Sequence, residues 1–191
     1  MNITSYFAKD LFQGKNVFIT GGSSNINLGL ARNFAAVGAN LGIVGRSQDK
    51  LDAAAAELRA LGAQVATYSA DVRDYAALDS AMQQCRETLG PIHTLVCGAA
   101  GNFPLPAEQL SPNGFKSVID IDLMGSFHAC RAAFAQLQDT QGNIIFISAG
   151  QAFMPYAFQA HVGAAKAGID QMMRNLALKW GRFGIRCNSI A

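Results

Sequence analysis

Short apolar runs alternate along this chain with longer stretches in which apolar positions recur every three or four residues. Asn16 to Thr20, Asn40 to Val44, Gln64 to Ser69, Thr94 to Cys97, Asn143 to Ile147 and Ile185 to Ile190 form the short runs. Their length and Val/Ile/Leu/Phe content predict strands. Leu28 to Val37, Gln48 to Leu61, Tyr75 to Leu89, Pro112 to Leu137 and Ala160 to Gly181 show the helical period. Strand and helix in strict turn make a βαβ series, hence a parallel sheet. The runs are continuous rather than alternating, so both sheet faces should be covered. The pattern therefore predicts an α/β fold: a doubly wound parallel sheet in three layers, α/β/α, forming a single domain over residues 1–191. No linker, charge block or repeat interrupts it. The loop from Ala99 to Ser111 follows the fourth strand, at the carboxyl edge where open α/β sheets bind ligands.

Composition narrows the function classes. Half of the 191 residues are hydrophobic and only 15% are charged, enough apolar matter for a sizeable core. A net charge of +2 without Lys/Arg runs leaves no footprint for nucleic acid. The apolar stretches are too short to span a bilayer, so no membrane partner is expected. The N-terminal stretch Met1 to Phe7 lacks a basic start followed by an apolar run, so no export signal is expected and the default location is cytoplasmic. Cys85, Cys97, Cys130 and Cys187 are scattered, without the close pairs of zinc or redox motifs. They are expected to be buried reduced thiols, and no metal site is predicted.

The first strand runs into Thr20-Gly21-Gly22-Ser23-Ser24-Asn25-Ile26-Asn27-Leu28-Gly29, a small-residue turn opening a helix. Such a turn presents backbone N–H groups, here those around Gly21, Ser23, Ser24, Asn25 and Ile26, to a pyrophosphate. This segment resembles the short-chain dehydrogenase/reductase family, whose pattern is Thr-Gly, three residues, Gly, one residue, Gly. Gly21 fits, while Asn25 and Asn27 stand at the two later glycines. The bulk of Asn27 is expected to oppose close approach of the pyrophosphate. The resemblance implies a Rossmann-like dinucleotide-binding domain. The second strand ends in Val44-Gly45-Arg46-Ser47 without an acidic residue for a ribose 2'-hydroxyl. Arg46 and Ser47 would suit a 2'-phosphate, so NADP(H) is the expected cofactor; the alternative is a solvated arginine in a turn. The resemblance places adenine against Asp71 and Val72, although Asp71 could simply begin a turn. It also places the adenosine ribose against the backbone of Ala99, Ala100 and Gly101, where Gly98 to Asn102 resembles the family's Asn-Asn-Ala-Gly with one residue inserted.

At the chemical end the family uses a Ser, a Tyr, a Lys and a helical Asn. The matching positions here are Ala149, Val162, Lys166 and Asp122. A Tyr four residues before the Lys would lie on the same helical face, where the ammonium favours its phenolate. Val162 removes that acid. The segments Cys97 to Phe103, Phe115 to Asp122 and Gln159 to His161 resemble the 2,4-dienoyl-CoA reductase branch, particularly its peroxisomal type. That resemblance implies hydride transfer from NADPH to a conjugated acyl-CoA thioester. The developing charge then sits on the thioester oxygen, away from the place a phenol would serve.

On this basis the catalytic candidates are Lys166, holding the nicotinamide ribose and lending charge, Asp122, relaying a proton or orienting a water, and His161, stabilising an enolate. Lys166 is also a cofactor contact. A structural role for His161, and a backbone-bonded Asp122 in a helix kinked near Gly125, are the plainer alternatives. Asp120 ranks below Asp122 because it faces another side of the helix. Asn102, Phe103, Ser148 and Tyr156 are substrate-side candidates, although strand alternation should turn Ser148 away. Two other functions stay open: a carbonyl or alcohol oxidoreductase using Tyr156 or water as acid, and a catalytically silent dinucleotide-binding protein. The resemblance further implies a substrate-covering segment beyond residue 191, so that the chain is expected to lack its lid. It also implies a homo-oligomer, a tetramer built through the two long helices, with Phe127, Phe134 and Met172 on that surface or in the core.

Overall fold

The computed structural model describes residues 3–191. Met1 and Asn2, part of the N-terminal stretch considered for an export signal, lie outside the described residues. Six strands form one parallel sheet in the order β3-β2-β1-β4-β5-β6: β1 (Asn16–Thr20), β2 (Asn40–Gly45), β3 (Val65–Ser69), β4 (Thr94–Cys97), β5 (Asn143–Ile147) and β6 (Arg186–Ile190). The order reverses between β1 and β4. Thr20 is level with Val44 on one side and Cys97 on the other, so three strand ends open together at that switch point.

Alternation along the strands divides the core between the two faces. Val17 and Ile19 point into one cluster with Leu41, Ile43, Leu51 and Leu58. There α1 (Asn25–Ala36) and α2 (Gln48–Ala60) cover the sheet. Phe18 points the other way, to Leu78, Met82, Leu95, Leu137 and Phe146, under α3 (Tyr75–Leu89), α5 (Gly125–Thr140) and α6 (Ala160–Trp180). Each of these fully buried side chains contributes roughly 1.5–3 kcal/mol. The predicted doubly wound, three-layer α/β/α architecture is therefore present. Among the described residues, no helix is long and apolar enough to cross a membrane.

Two helices differ from the sequence expectation. α1 begins at Asn25 rather than Leu28, because extended Ser24 serves as the N-cap and Asn25 accepts a left-handed φ of 50°. The long helix expected from Pro112 to Leu137 is present but divided. It comprises α4 (Pro112–Val118), a π-helical turn (Ile119–Met124) and α5, which runs on to Thr140. Ser111 caps its start by accepting from Gly114 N at 3.0 Å, and Gln141 ends it in the left-handed region. The π turn widens the helix where it passes the carboxyl edge, and it turns Asp122 fully inward.

The four cysteines are free and buried, as expected. Burial pushes the Cys85 and Cys187 thiols up to about 11, which keeps them protonated and inert.

Candidate active site

A cleft of about 400 Å³ lies at the switch point between β1 and β4. Its floor is the phosphate turn. Gly21 takes φ +70°, and a Cβ on Gly22 would sit 2.8 Å from Ile43 Cγ2 and 3.1 Å from Ile19 O, so neither position tolerates a larger residue easily. Ser24 makes no side-chain cap to α1, and the helix has no acidic residue in its first turn. Its leading N–H groups therefore face the cleft with a positive terminus.

Most of the predicted cofactor residues meet there. Gly21, Ser23, Ser24, Asn25, Ile26, Arg46, Ser47, Asp71, Val72, Ala99 and Ala100 all line the cleft. Lys50 lines it as well, a cation one helical turn beyond Arg46 that the sequence reading passed over. Gly101 lies beyond the lining and instead donates its N–H to Asp122 Oδ1 at 2.7 Å. Asp71 engages Arg73 with both oxygens, accepting from its Nε at 3.0 Å and its terminal nitrogen at 2.6 Å. The Arg73 guanidinium holds that carboxyl below the usual range. Any adenine contact of the Asp71 carboxylate therefore competes with a formed ion pair.

Asn27 also lines the cleft, and its side chain is tied down within the turn: Nδ2 donates to Gly98 O at 2.8 Å and Gly21 O at 3.3 Å. Thr20 adds a second tie between the same segments: its Oγ1 accepts from Gly98 N at 3.0 Å and Ala99 N at 3.1 Å. The phosphate turn and the loop after β4 thus form one unit.

The reactive groups sit beside this unit. Lys166, on α6, is buried, donates to Ile147 O at 3.0 Å, and holds its Nζ 3.3 Å from Asp122 Oδ2. That last approach is a charge contact without hydrogen-bond alignment, and Oδ2 has no hydrogen-bond donor. Asp122 is 1% exposed. Burial pushes its carboxyl above the ordinary carboxylate range, against the opposing pull of the Lys166 charge and the Gly101 N–H. Asp120 is instead spent on an exposed ion pair with Lys116.

His161 is fully buried with neither ring nitrogen bonded, and its ring lies 4.6 Å from that of Phe103. Val162 packs with Val118 and Ala165 under Phe103, so apolar surface fills the place of the missing phenol.

The substrate-side candidates lie outside the cleft lining. Ser148 is buried just past the end of β5; its Oγ lacks a partner, and its N–H bonds Ile190 O. Tyr156 lies in an exposed loop against Gly150, its Oη 3.0 Å from where a Cβ there would stand. Asn102 is exposed and Phe103 belongs to the small cluster over α6. Phe134 and Met172 pack on the core, whereas Phe127 stays exposed.

Residues 15–191 match the family model of the short chain dehydrogenases. The chain belongs to the short-chain dehydrogenase family. It is 42% identical to the peroxisomal 2,4-dienoyl-CoA reductase SPS19 of Saccharomyces cerevisiae over 95% of the chain, and spans 64% of that relative's length. Among solved structures it resembles a citronellol catabolism dehydrogenase of Pseudomonas aeruginosa, with a TM-score of 0.92 and 33% identity, over 97% of this chain and 77% of the other. It also resembles a carveol dehydrogenase of Mycobacterium avium in complex with NAD, with a TM-score of 0.90 and 26% identity, over 95% and 71%.

Proposed function

We propose that this chain is the cofactor-binding and proton-handling part of an NADP(H)-dependent reductase acting on 2,4-dienoyl thioesters such as acyl-CoA. The observation that carries this is the buried Asp122 and Lys166 pair beside the cleft, with valine where a phenol would serve an alcohol or ketone. Relatives named 2,4-dienoyl-CoA reductase support the same substrate class.

The cleft fits a dinucleotide: the glycines keep its floor low, Asn27 is tied down within the turn, and the uncapped start of α1 offers N–H groups to a pyrophosphate. Arg46, Ser47 and Lys50 would hold a 2'-phosphate, Arg46 by paired N–H donors and Lys50 as a point charge. When bound, the reduced nicotinamide supplies a hydride.

The residues of the chain do the rest. Lys166 Nζ, fixed by Ile147 O, would bind the nicotinamide ribose and place a cation where negative charge develops toward the thioester oxygen. Asp122, whose burial makes it easier to protonate than an exposed carboxyl, would take up a proton beside that ammonium and deliver it to the substrate. The sum is one hydride and one proton added to the diene. Burial of both side chains would keep bulk water from the pair. Copies of the chain would assemble through the helical face on which Phe115, Met124 and Phe127 are exposed.

The test is NADPH oxidation by the purified protein with 2,4-hexadienoyl-CoA against an equimolar simple ketone. Turnover of the dienoyl thioester, lost in Lys166→Ala and slowed about 100-fold or more in Asp122→Asn, supports the proposal. Turnover of the ketone alone would reject it in favour of a carbonyl reductase. Dinucleotide binding with no turnover of either would identify a silent binding protein.

A further inference from the structure

Asn27 keeps an arrangement that costs free energy. Its Nδ2 is satisfied by Gly98 O and Gly21 O, but its Oδ1 is buried with no donor. An orphaned buried acceptor is destabilising, so its retention calls for an explanation.

The explanation lies in what the side chain replaces. A Cβ on Gly98 would collide with Asn27, lying 2.6 Å from its Cγ and 2.7 Å from its Nδ2 as well as against Oδ1. Asn27 therefore fills the space in front of Gly98, and a residue larger than glycine at 98 would force it out. The two positions are complementary in size. Their contact is also the start of a continuous path: Asn27 holds Gly98, the same loop carries Gly101, Gly101 N donates to Asp122 Oδ1, and Asp122 Oδ2 faces Lys166 Nζ.

We propose that Asn27 is a positioning residue, size-matched to Gly98, that locks the loop after β4 to the phosphate turn and thereby couples dinucleotide binding to the placement of Asp122. This rests on the cleft being the dinucleotide site. Asn27 acts through backbone groups on both sides: it orients Gly21 O in the turn and fixes the loop that delivers the Gly101 N–H.

Four proteins test it: wild type, Asn27→Gly, Gly98→Ala and the double variant. NADPH dissociation constants come from cofactor fluorescence, Tm values from thermal unfolding, and Gly101 amide protection from hydrogen exchange. Asn27→Gly should weaken NADPH about fivefold, the loss of one net hydrogen bond, and speed Gly101 exchange about tenfold or more, consistent with at least about 1.4 kcal/mol of lost protection. Gly98→Ala should weaken NADPH by roughly tenfold or more, through the displaced side chain. In the Asn27→Gly background the same Gly98→Ala change should cost less than about threefold, because contacting residues are non-additive.

Equal penalties in the two backgrounds overturn the proposal. So do changes in Tm alone, with NADPH affinity and Gly101 exchange unmoved, since those describe packing only. If Gly98→Ala does not fold, Asn27→Gly decides by itself: unchanged affinity and exchange overturn the coupling, and weakened affinity with faster exchange supports it. Wild-type protein that binds neither NADPH nor NADH overturns both the dinucleotide site and this inference, whereas binding without coupling overturns the inference alone.

Discussion

Lys166→Met should extend the pH dependence of folding stability upward beyond that of the wild type. The substitution keeps the length of the side chain and removes the ammonium, leaving Asp122 in a 1%-exposed site with Gly101 N as its remaining donor. Breaking a buried pair costs about 3–5 kcal/mol when the surviving charge stays ionised. Asp122 has an escape, because it can take up a proton. Burial already holds its carboxyl above the ordinary range in the presence of Lys166, and removing that cation raises it further. A carboxyl that binds its proton more tightly folded than unfolded gains a proton on folding. Stability therefore falls as pH rises from the unfolded pKa to the folded one, by at most about 1.4 kcal/mol per pH unit. The wild type shows a short window of this kind, and in Lys166→Met the window extends upward. The deficit of the variant should be small near pH 4, about 1 kcal/mol for the lost bond to Ile147 O. Near pH 8 it should approach the full 3–5 kcal/mol, a Tm loss of roughly 6–20 °C for a chain of this size. Urea unfolding of both proteins from pH 4 to 8 measures it, with Asp122→Asn/Lys166→Met as the control whose deficit should not vary. A deficit constant across that range would refute the assignment of Asp122 as the group that responds.

Arg46→Asp should raise the NADPH dissociation constant by about tenfold or more and leave NADH within about threefold, since only the former presents a phosphate to a guanidinium; equal losses by fluorescence titration would remove Arg46 from that role. Thr20→Val keeps the shape of the side chain but strips the acceptor from Gly98 N and Ala99 N, and should cost about 2–4 kcal/mol in urea unfolding. A cost below 1 kcal/mol would show that the two segments do not depend on that tie. Gly22→Ala should destabilise by about 1–3 kcal/mol, because its Cβ meets Ile43 and the carbonyl of Ile19 on two central strands. Gly168→Ala serves as the contrast: its Cβ meets the flexible end of Leu123 and should cost less than about 1 kcal/mol.

The fold was legible in the sequence because the central strands β1, β2 and β4 are buried on both faces and the helices on one, and these requirements write different periods into the chain. The small-residue turn after β1 was legible as a turn opening a helix at the cleft, and Gly22 within it is also held to glycine by Ile43 and the carbonyl of Ile19. What the sequence concealed were relations across the sheet. Asn27 at a glycine position looked like an obstruction, and only the proximity of Gly98, distant in sequence, shows where its side chain goes. Ile147 O, which fixes Lys166, is a backbone atom and leaves no mark in the residue types. The π turn that buries Asp122 is likewise a matter of backbone path: a regular helix from Pro112 to Leu137 explained the same apolar spacing. Lys50, in the first turn of α2, carries no motif that marks it in the sequence; only the fold brings it beside Arg46 at the cleft.

The valine at 162 takes its meaning from these relations. In isolation it removes an acid. In the folded chain it sits on the helix that carries Lys166 and joins an apolar cluster with Ala165, Val118 and Phe103, while His161 beside it packs on Phe103. Nearby, burial makes a carboxylate at 122 costly and so favours its protonated form. A tyrosine at 162 would bring a hydroxyl into the cluster and a second acid near Lys166, supplying the proton Asp122 is placed to hold. Loss of the phenol and burial of the carboxyl thus act in one direction. On the proposed reading they move the proton source from a group facing an alkoxide to the buried Asp122 and Lys166 pair, an arrangement suited to charge that develops at the far end of a conjugated system.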